Sequence, residues 1–174
     1  MPFIHIFCYC TELCLLCVKY SVIMKILMVC LGNICRSPMA QGIMEALIRE
    51  KGLDWVVDSA GTNGFHDGET PDPRAIRESM TRGISIKHQI SRKIKLHDFE
   101  YFDLILTMDL SNRNYCLSLV SDPKLKDKIQ LIMDYAQDTN FNFVPDPYYD
   151  NRFDLAFDLI EKACHGVIAK FNKS

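Results

Sequence analysis

The sequence predicts an α/β fold built around a four-stranded parallel sheet. Four short apolar segments, at residues 25–30, 55–60, 103–108 and 128–135, have the composition of buried strands. Segments with helical spacing of apolar residues separate them. Strands that alternate with helices form βαβ units, whose right-handed crossovers place neighbouring strands parallel. The 174 residues favour a single domain with a substantial core.

The first strand leads through a short loop into the first helix. Ile26 to Val29 is a continuous apolar run, typical of a strand that is buried on both faces. Ser37 and Pro38 predict a helix start, because serine is a favoured N-cap residue and proline fits the first helical position. The helix is expected to extend to Lys51, and Gly52 is a suitable residue to end it.

The later elements follow the same alternation. Asp72-Pro73 predicts the start of a helix that extends to about Thr81. A further helix is expected over residues 111–120, with Ser111 as its N-cap. The last helix is predicted over residues 151–173, because its apolar residues recur at helical spacing.

Residues 1–23 differ from the rest of the chain and are expected to lie outside the fold, so that residues 24–174 form the single domain. The segment is apolar and rich in cysteine, and its one lysine follows the apolar run instead of preceding it as in a secretory signal. Glu12 interrupts the run, which is short for a membrane span. Translation from Met24 is the simplest explanation of the segment. A membrane-surface anchor is one alternative. Another is a metal site formed by four cysteines, Cys8, Cys10, Cys14 and Cys17.

Composition excludes some classes of function. The net charge of −2 gives no general basic surface for nucleic acid. Residues 87–95 are basic, and we expect them to form a solvated positive face. The cysteines beyond residue 23 have neither zinc-site spacing nor the density of a disulfide scaffold. Cys116 and Cys164 are expected to be small apolar core residues.

The loop after the first strand begins with Cys30 and ends with Arg36 in the spacing Cys-x5-Arg. A strand–loop–helix turn points backbone N–H groups inward at the positive end of a helix dipole, which makes an anion-binding cradle. Gly32 permits close approach of the backbone, and Asn33 tolerates a left-handed conformation. The guanidinium of Arg36 suits two oxygens of one phosphate. This positive environment favours a thiolate at Cys30, a nucleophile aimed at phosphorus.

The segment Val-Cys-Leu-Gly-Asn-Ile-Cys-Arg-Ser-Pro at residues 29–38 resembles the signature of the low-molecular-weight protein tyrosine phosphatases almost letter for letter. Asp72-Pro73-Arg74 resembles a further family segment, with a structural role as helix cap and charge partner. Ser59 is similar to a family serine that hydrogen-bonds the loop asparagine, here Asn33. The resemblance covers residues 24 to about 172. It implies a three-layer sandwich with sheet order 2-1-3-4 and helices on both faces.

The resemblance also implies the catalytic residues: Cys30 as nucleophile, Arg36 as phosphate ligand and Asp146 as general acid. Asp146 lies between two prolines, which stiffen its loop. An acid is needed because an aryl oxygen leaves faster when it is protonated. Asp109 is expected to brace the site. The implied substrate-binding residues are the remaining loop positions and three aromatic residues of the cleft: Leu31, Gly32, Asn33, Ile34, Cys35, Ser37, Phe65, Tyr148 and Tyr149.

The expected reaction is hydrolysis of a phosphate monoester through a phosphocysteine, with no cofactor and no metal. The Ser37 hydroxyl, as in the family, would hydrogen-bond the sulfur in the second step. Phe65 either stacks on the substrate ring or folds onto the core. The implied partner is a tyrosine-phosphorylated protein, with a bacterial tyrosine kinase as one candidate. A free catalytic thiol requires a reducing compartment, so the expected location is the cytoplasm. The family also suggests a reversible Cys30–Cys35 disulfide that shields the nucleophile.

Three other functions are compared with this one. Arsenate reduction on the same fold needs resolving cysteines beyond the third helix region, and residues 82–108 contain none. Protein-arginine phosphatases usually carry threonine at the position of Ile34, and the bulkier isoleucine favours an aryl ester. A phosphocysteine carrier module would not need Arg36 and Asp146 together.

Overall fold

The computed structural model describes residues 23–172. Its four strands form one parallel sheet in the order β2-β1-β3-β4, which confirms the expected topology. The strands are β1 (Lys25–Cys30), β2 (Val56–Gly61), β3 (Leu104–Thr107) and β4 (Ile129–Leu131). The proposed role of residues 1–23 as a separate extension falls outside the described residues, apart from Ile23.

Helices cover both faces of the sheet. They are α1 (Arg36–Lys51), α2 (Pro73–Thr81), α3 (Leu96–Tyr101), α4 (Leu110–Ser118), α5 (Pro123–Lys126), α6 (Pro147–Asp150) and α7 (Phe153–Phe171). Among residues 23–172, no helix combines the length and the apolar character that crossing a bilayer would require.

Strand β1 separates two hydrophobic cores. Ile26 and Met28 point to the core that α1, α2 and α7 cover, whereas Leu27 and Val29 point to the core beneath α3, α4 and α5. This alternation follows from the two-residue period of a strand. Because both faces are covered, β1 is apolar and buried from Ile26 onward, and its end at Cys30 is held firmly between the layers.

The fourth strand is shorter than predicted. Strand β4 ends at Leu131, and a 3₁₀ helix follows over Ile132–Tyr135. Ile132, Met133 and Tyr135 are all buried in the core that α1 and α7 cover. A strand would direct Ile132 and Met133 to opposite faces, so the turn lets two consecutive apolar residues bury on one side.

The predicted cap of α4 is also wrong. Asp109 is the N-cap, and its Oδ1 accepts a hydrogen bond of 2.8 Å from the backbone N–H of Asn112. Ser111 lies within the helix. Asp and Ser are comparable caps in isolation, so local sequence did not distinguish them.

Helix α2 begins as the sequence predicts. Asp72 is its N-cap and accepts hydrogen bonds from the backbone N–H of Arg74 at 2.8 Å and from its guanidinium Nη2 at 2.8 Å. Hydrogen bonding to the Arg74 side chain lowers the pKa of Asp72 below its ordinary value. The backbone N–H of Asp72 also donates to the carbonyl of Ile34, which ties this helix start to the Cys30–Arg36 loop.

We expect Asp72→Ala to lower the free energy of unfolding by about 1 kcal/mol at neutral pH, the usual worth of an N-cap. Because the pKa of Asp72 is lower in the folded state than in the unfolded chain, this contribution is present at neutral pH. It disappears as the pH falls through the folded-state pKa. Urea titrations of the two proteins should therefore converge in acid.

Asp122→Ala is the matched control. Asp122 caps α5 in the same Asp-Pro arrangement, but it is exposed and that helix has four residues. Asp122→Ala should therefore lower the free energy of unfolding by less than half as much as Asp72→Ala does. Equal costs for the two substitutions would contradict the account of Asp72.

Candidate active site

The loop between β1 and α1 turns its carbonyl groups outward. The carbonyl of Cys30 accepts from the N–H of Thr62 at 2.9 Å, and that of Leu31 accepts from the N–H of Asn63 at 3.0 Å. The carbonyl of Gly32 accepts from the Ser91 hydroxyl at 3.1 Å. Since N–H and C=O point in opposite directions across a planar trans peptide, the loop N–H groups face inward. The expected anion cradle is therefore present.

Asn33 holds the loop in its turn. It has a positive φ of 55° and its side chain is buried. Its amide Nδ2 donates to the hydroxyls of Ser37 and Ser59, each at 2.9 Å, and its Oδ1 accepts from the N–H of Arg92 at 3.0 Å. The predicted bond with Ser59 is confirmed. Asn33 uses its hydrogen-bonding capacity to fix the loop, and it stands behind the cradle.

Cys30 is 3% exposed, and its sulfur lies at the bottom of this loop. It accepts hydrogen bonds from the hydroxyl of Ser37 at 3.1 Å and from the N–H of Asn33 at 3.3 Å. These two contacts fix the position of the sulfur in the loop.

Ser37 is not the N-cap that the sequence predicts. Helix α1 already begins at Arg36, and Cys35 occupies the cap position without a side-chain hydrogen bond. The Ser37 hydroxyl is directed to sulfur instead. The first amides of α1 consequently have no side-chain cap, which leaves the positive end of the helix open to an anion.

Arg36 is buried and connects the two sides of the site. Its Nη1 donates to Asp109 Oδ2 at 2.7 Å and to the carbonyl of Val144 at 3.1 Å, and its Nη2 donates to Asp146 Oδ2 at 2.6 Å. Burial by itself lowers the pKa of Arg36, but the charges of Cys30, Asp146 and Asp109 outweigh it and raise the pKa above its ordinary value. The guanidinium is permanently charged here, and the predicted bracing contact with Asp109 is present.

The basic segment at residues 87–95 is not simply a solvated face. Arg92 pairs with Asp58 Oδ2 at 2.8 Å and with Asp98 Oδ2 at 2.9 Å, and Asp98 is buried. Its backbone N–H reaches Asn33. These contacts fasten the segment across the back of the loop.

A cavity of about 230 Å³ opens above Cys30. Ten of the twelve predicted site residues line it: Cys30, Leu31, Gly32, Ile34, Cys35, Arg36, Phe65, Asp146, Tyr148 and Tyr149. The other two, Asn33 and Ser37, lie behind the loop. The structure thus brings all twelve predicted residues to one place.

Aromatic side chains form the cavity's walls. Phe65 is 86% exposed, so it is free to meet a substrate ring and is not folded onto the core. Tyr148 and Tyr149 meet edge to face, with ring centroids 5.4 Å apart. Asp146 is the N-cap of α6 and accepts from the N–H of Tyr148 at 3.2 Å, which fixes the carboxylate beside these rings.

Two lining residues were not predicted. His66 and Asn63 belong to the loop that carries Phe65 and complete its wall. The His66 ring packs over Gly32, where an added Cβ would lie 3.1 Å from it, and its Nδ1 lies 2.8 Å from Glu69 Oε2. Adjacency to Phe65 was the available sequence signal.

The remaining thiols have different surroundings. Cys35 is buried beside Cys30, and burial, followed by the charge of Cys30, raises the pKa of Cys35. Cys116 and Cys164 are fully buried in the two cores, as predicted, and burial raises the pKa of Cys116 to about 12. All four cysteines of the described chain are free thiols. Within residues 23–172, no three His, Cys, Asp or Glu side chains are grouped to hold a metal.

Comparison with known proteins agrees with this geometry. Residues 25–174 match the family described as low molecular weight phosphotyrosine protein phosphatase. The low molecular weight protein-tyrosine-phosphatase YfkJ of Bacillus subtilis is 36% identical over 151 residues, which are 86% of this chain and 96% of the relative. The YfkJ crystal structure superposes with a TM-score of 0.84 at 34% identity, over 88% of this chain and 97% of that one.

A protein tyrosine phosphatase of Entamoeba histolytica, crystallised with Hepes in its active site, gives a TM-score of 0.81 at 37% identity. The match covers 86% of this chain and 97% of that one. Sequence, fold and site agree along nearly the whole chain: it belongs to the low molecular weight phosphotyrosine protein phosphatase family.

Proposed function

We propose that the protein hydrolyses phosphotyrosine in protein substrates, with Cys30 as nucleophile, Arg36 as phosphate ligand and Asp146 as general acid. The observation that carries this assignment is that all three line one cavity and that Arg36 Nη2 lies 2.6 Å from Asp146 Oδ2. A thiolate, a bidentate cation and a carboxyl group are the parts that a metal-free phosphoryl transfer requires.

Substrate binding rearranges one contact. The phosphate dianion takes the inward N–H groups of the loop and the Nη2 edge of Arg36, which in the unliganded site faces Asp146. Asp109 keeps its hydrogen bond from Arg36 Nη1, so the guanidinium stays in place. Asp146, no longer paired with Arg36, is then free to act as the general acid toward the leaving oxygen. Binding of the substrate thus prepares the general acid.

The first chemical step transfers the phosphoryl group to sulfur. The Cys30 thiolate attacks phosphorus, the bond from phosphorus to the tyrosine oxygen breaks, and Asp146 gives its proton to the leaving oxygen. The loop amides and Arg36 stabilise the charge on the transferring group, which we expect to be the largest catalytic contribution.

The second step regenerates the enzyme. Asp146, now a carboxylate, removes a proton from a water molecule that attacks phosphorus, and the bond from phosphorus to Cys30 breaks. The Ser37 hydroxyl, 3.1 Å from the sulfur, stabilises the departing thiolate. Inorganic phosphate leaves, and Asp146 is protonated for the next cycle.

The walls of the cavity favour an aryl ester. Phe65 stands exposed on one side and Tyr148 on the other, so an aromatic ring can pack against both. Ile34 lines the cavity with apolar bulk, which supports phosphotyrosine over phosphoarginine. The absence of cysteine from residues 82–108 continues to oppose arsenate reduction.

The proposed partner is a tyrosine-phosphorylated protein, and a bacterial tyrosine kinase is the candidate to test first. The proposed location is the cytoplasm, because the mechanism needs Cys30 as a free thiolate. Pull-down with Cys30→Ser from lysate, followed by release with inorganic phosphate, would identify the partner.

Multiple turnover tests the proposed function against the carrier alternative. With a phosphotyrosyl peptide in hundredfold excess over the protein, we expect complete release of inorganic phosphate. A carrier would stop after about one equivalent and retain the phosphoryl group on the protein. Such a stoichiometric burst without further release would overturn hydrolysis.

Mild peroxide is expected to produce a Cys30–Cys35 disulfide. Peroxide converts the Cys30 thiolate to a sulfenic acid, and the Cys35 thiol displaces water from it to form the S–S bond. Both side chains line the same cavity. We expect activity to return when a thiol reductant is added, and peptide mass spectrometry should find the linked pair.

Cys35→Ala is the control for this prediction. Without the second thiol, Cys30 should proceed to sulfinic acid, and the reductant should not restore activity. Over-oxidised Cys30 beside a free Cys35 in the wild-type protein would contradict the prediction.

A further inference from the structure

A second groove opens next to the catalytic cavity and is not used by the proposed reaction. We call it the side groove, and it has a volume of about 240 Å³. Leu31, Asp109, Ser111, Asn112 and Phe143 line it. Leu31, Arg36 and Asp146 line both the side groove and the catalytic cavity, so the two are continuous.

The side groove contains hydrogen-bond acceptors with unused capacity. Asn112 is 1% exposed, and its side-chain Oδ1 has no hydrogen-bond partner among the described residues. Asp109 accepts one bond at each carboxylate oxygen and retains lone pairs for more. The buried guanidinium of Arg36 is already directed at Asp109, the Val144 carbonyl and Asp146. These acceptors favour a ligand that donates hydrogen bonds.

The charge of the groove selects a cation. Two carboxylates, Asp109 and Asp146, face one buried guanidinium in the unliganded site. A phosphate dianion that binds Arg36 neutralises part of the positive charge of the guanidinium. The negative charge of Asp109 is then less balanced, and the groove becomes a better site for a positive group. An acidic side chain would meet Asp109 and the bound phosphate with the same sign of charge.

The walls of the side groove are apolar. Leu31 is 40% exposed and Phe143 is 48% exposed, and both lie on its surface. Long basic side chains bury an aliphatic stem against such surfaces and keep the charged end on polar groups. The apolar walls of the side groove suit the aliphatic stem, and its acceptors suit the charged end.

We propose that the side groove binds the side chain of a lysine or arginine close to the phosphotyrosine in the substrate. In an extended peptide, adjacent side chains point to opposite faces, whereas residues two positions apart share a face and lie about 6.6 Å apart. A residue two positions from the phosphotyrosine can therefore reach a groove that adjoins the catalytic cavity. This inference rests on the proposed function and names the substrate class within it: phosphotyrosine flanked by a basic residue.

Peptides that differ at one flanking position test the proposal. Three phosphotyrosyl peptides carry lysine, norleucine or glutamate two positions from the phosphotyrosine, in one set on its amino side and in another on its carboxyl side. We expect kcat/KM for lysine to exceed that for glutamate by about tenfold or more in one set, as for complementary charge at close range. Equal values in both sets, or a preference for glutamate, would overturn the proposal.

Two substitutions show whether the groove produces the preference. Ser111→Lys places a cation at an exposed lining position and should reduce the lysine preference to below about threefold, whereas its control Ser111→Ala should retain it. Phe143→Ala should lower kcat/KM for the lysine peptide relative to a peptide with diaminopropionate, whose stem is too short to use that wall. A lysine preference unchanged by both substitutions would arise from the general field of the cleft and would overturn the proposal.

The same assays separate this inference from the proposed function. Hydrolysis of p-nitrophenyl phosphate and of the norleucine peptide measures phosphatase activity without a charged flanking residue. Turnover of both, with no selectivity among the peptides, would overturn the groove and leave the phosphatase intact. Turnover of neither would overturn both proposals.

Discussion

Replacing Cys30 by serine is expected to lower kcat for p-nitrophenyl phosphate by on the order of 10⁴-fold or more, as for loss of a nucleophile elsewhere. A serine hydroxyl is not ionised at neutral pH, and the site offers it no base equivalent to the histidine of a serine hydrolase. The inward loop amides and Arg36 remain, so binding should persist. We expect the Cys30→Ser protein to bind inorganic phosphate with a Kd within about threefold of the wild-type value, both measured by calorimetry.

Cys116→Ala is the matched control for this substitution. Cys116 is also a buried thiol, but it packs in the core beneath α3, α4 and α5, away from the cavity. Its removal should leave kcat within about twofold at a temperature where the fold is intact. Retention of more than one hundredth of wild-type kcat in Cys30→Ser would contradict the assignment of the nucleophile.

Replacing Asp146 by alanine is expected to lower kcat by about 10²- to 10³-fold for a phosphotyrosyl peptide, within the usual range for general acid catalysis. The loss should be smaller for p-nitrophenyl phosphate, because its leaving oxygen needs less help from a proton. This dependence on the leaving group distinguishes an acid from a residue that only holds Arg36. A merely structural role would reduce both rates by the same factor.

Asp150→Ala provides the comparison within the same loop. Asp150 lies at the end of α6, is exposed and pairs with Arg152, 2.8 Å away. It does not line the cavity, and its removal should change neither rate by more than about twofold. An equal loss in Asp146→Ala and Asp150→Ala would indicate that the loop as a whole was disturbed.

The sequence predicted those parts of the site that depend on consecutive residues. The run from Cys30 to Arg36 encodes a strand end, a turn at Asn33 and a helix start, and each is a local property of the chain. The resemblance added Asp146 and the aromatic walls, because its motif extends to that distant loop. The sheet order followed from the same source and from the alternation of strands and helices.

Features that depend on tertiary contacts were missed or misplaced. Arg92 looked like a solvated cation because nothing near it in sequence shows that Asp58 lies across the structure, 2.8 Å away. Ser37 looked like a helix cap because its actual partner, the sulfur of Cys30, is brought to it by the turn. The residues of the side groove come from the β1–α1 loop, from α4 and from the segment before Asp146, so no local pattern indicates the groove.

The central claim is that a covalent phosphocysteine at position 30 lies on the reaction path. Mixing the Asp146→Ala protein with p-nitrophenyl phosphate, whose leaving oxygen needs little help from a proton, quenching within milliseconds to seconds and digesting the protein should yield one phosphorylated peptide, containing Cys30 and carrying the phosphoryl group on sulfur. Substitution of Asp146 slows hydrolysis of that intermediate more than its formation from this ester, so the trapped fraction should exceed that of the wild type. Continued release of inorganic phosphate with no phosphoryl group on Cys30 at any quench time, or with the group on another residue, would contradict the account.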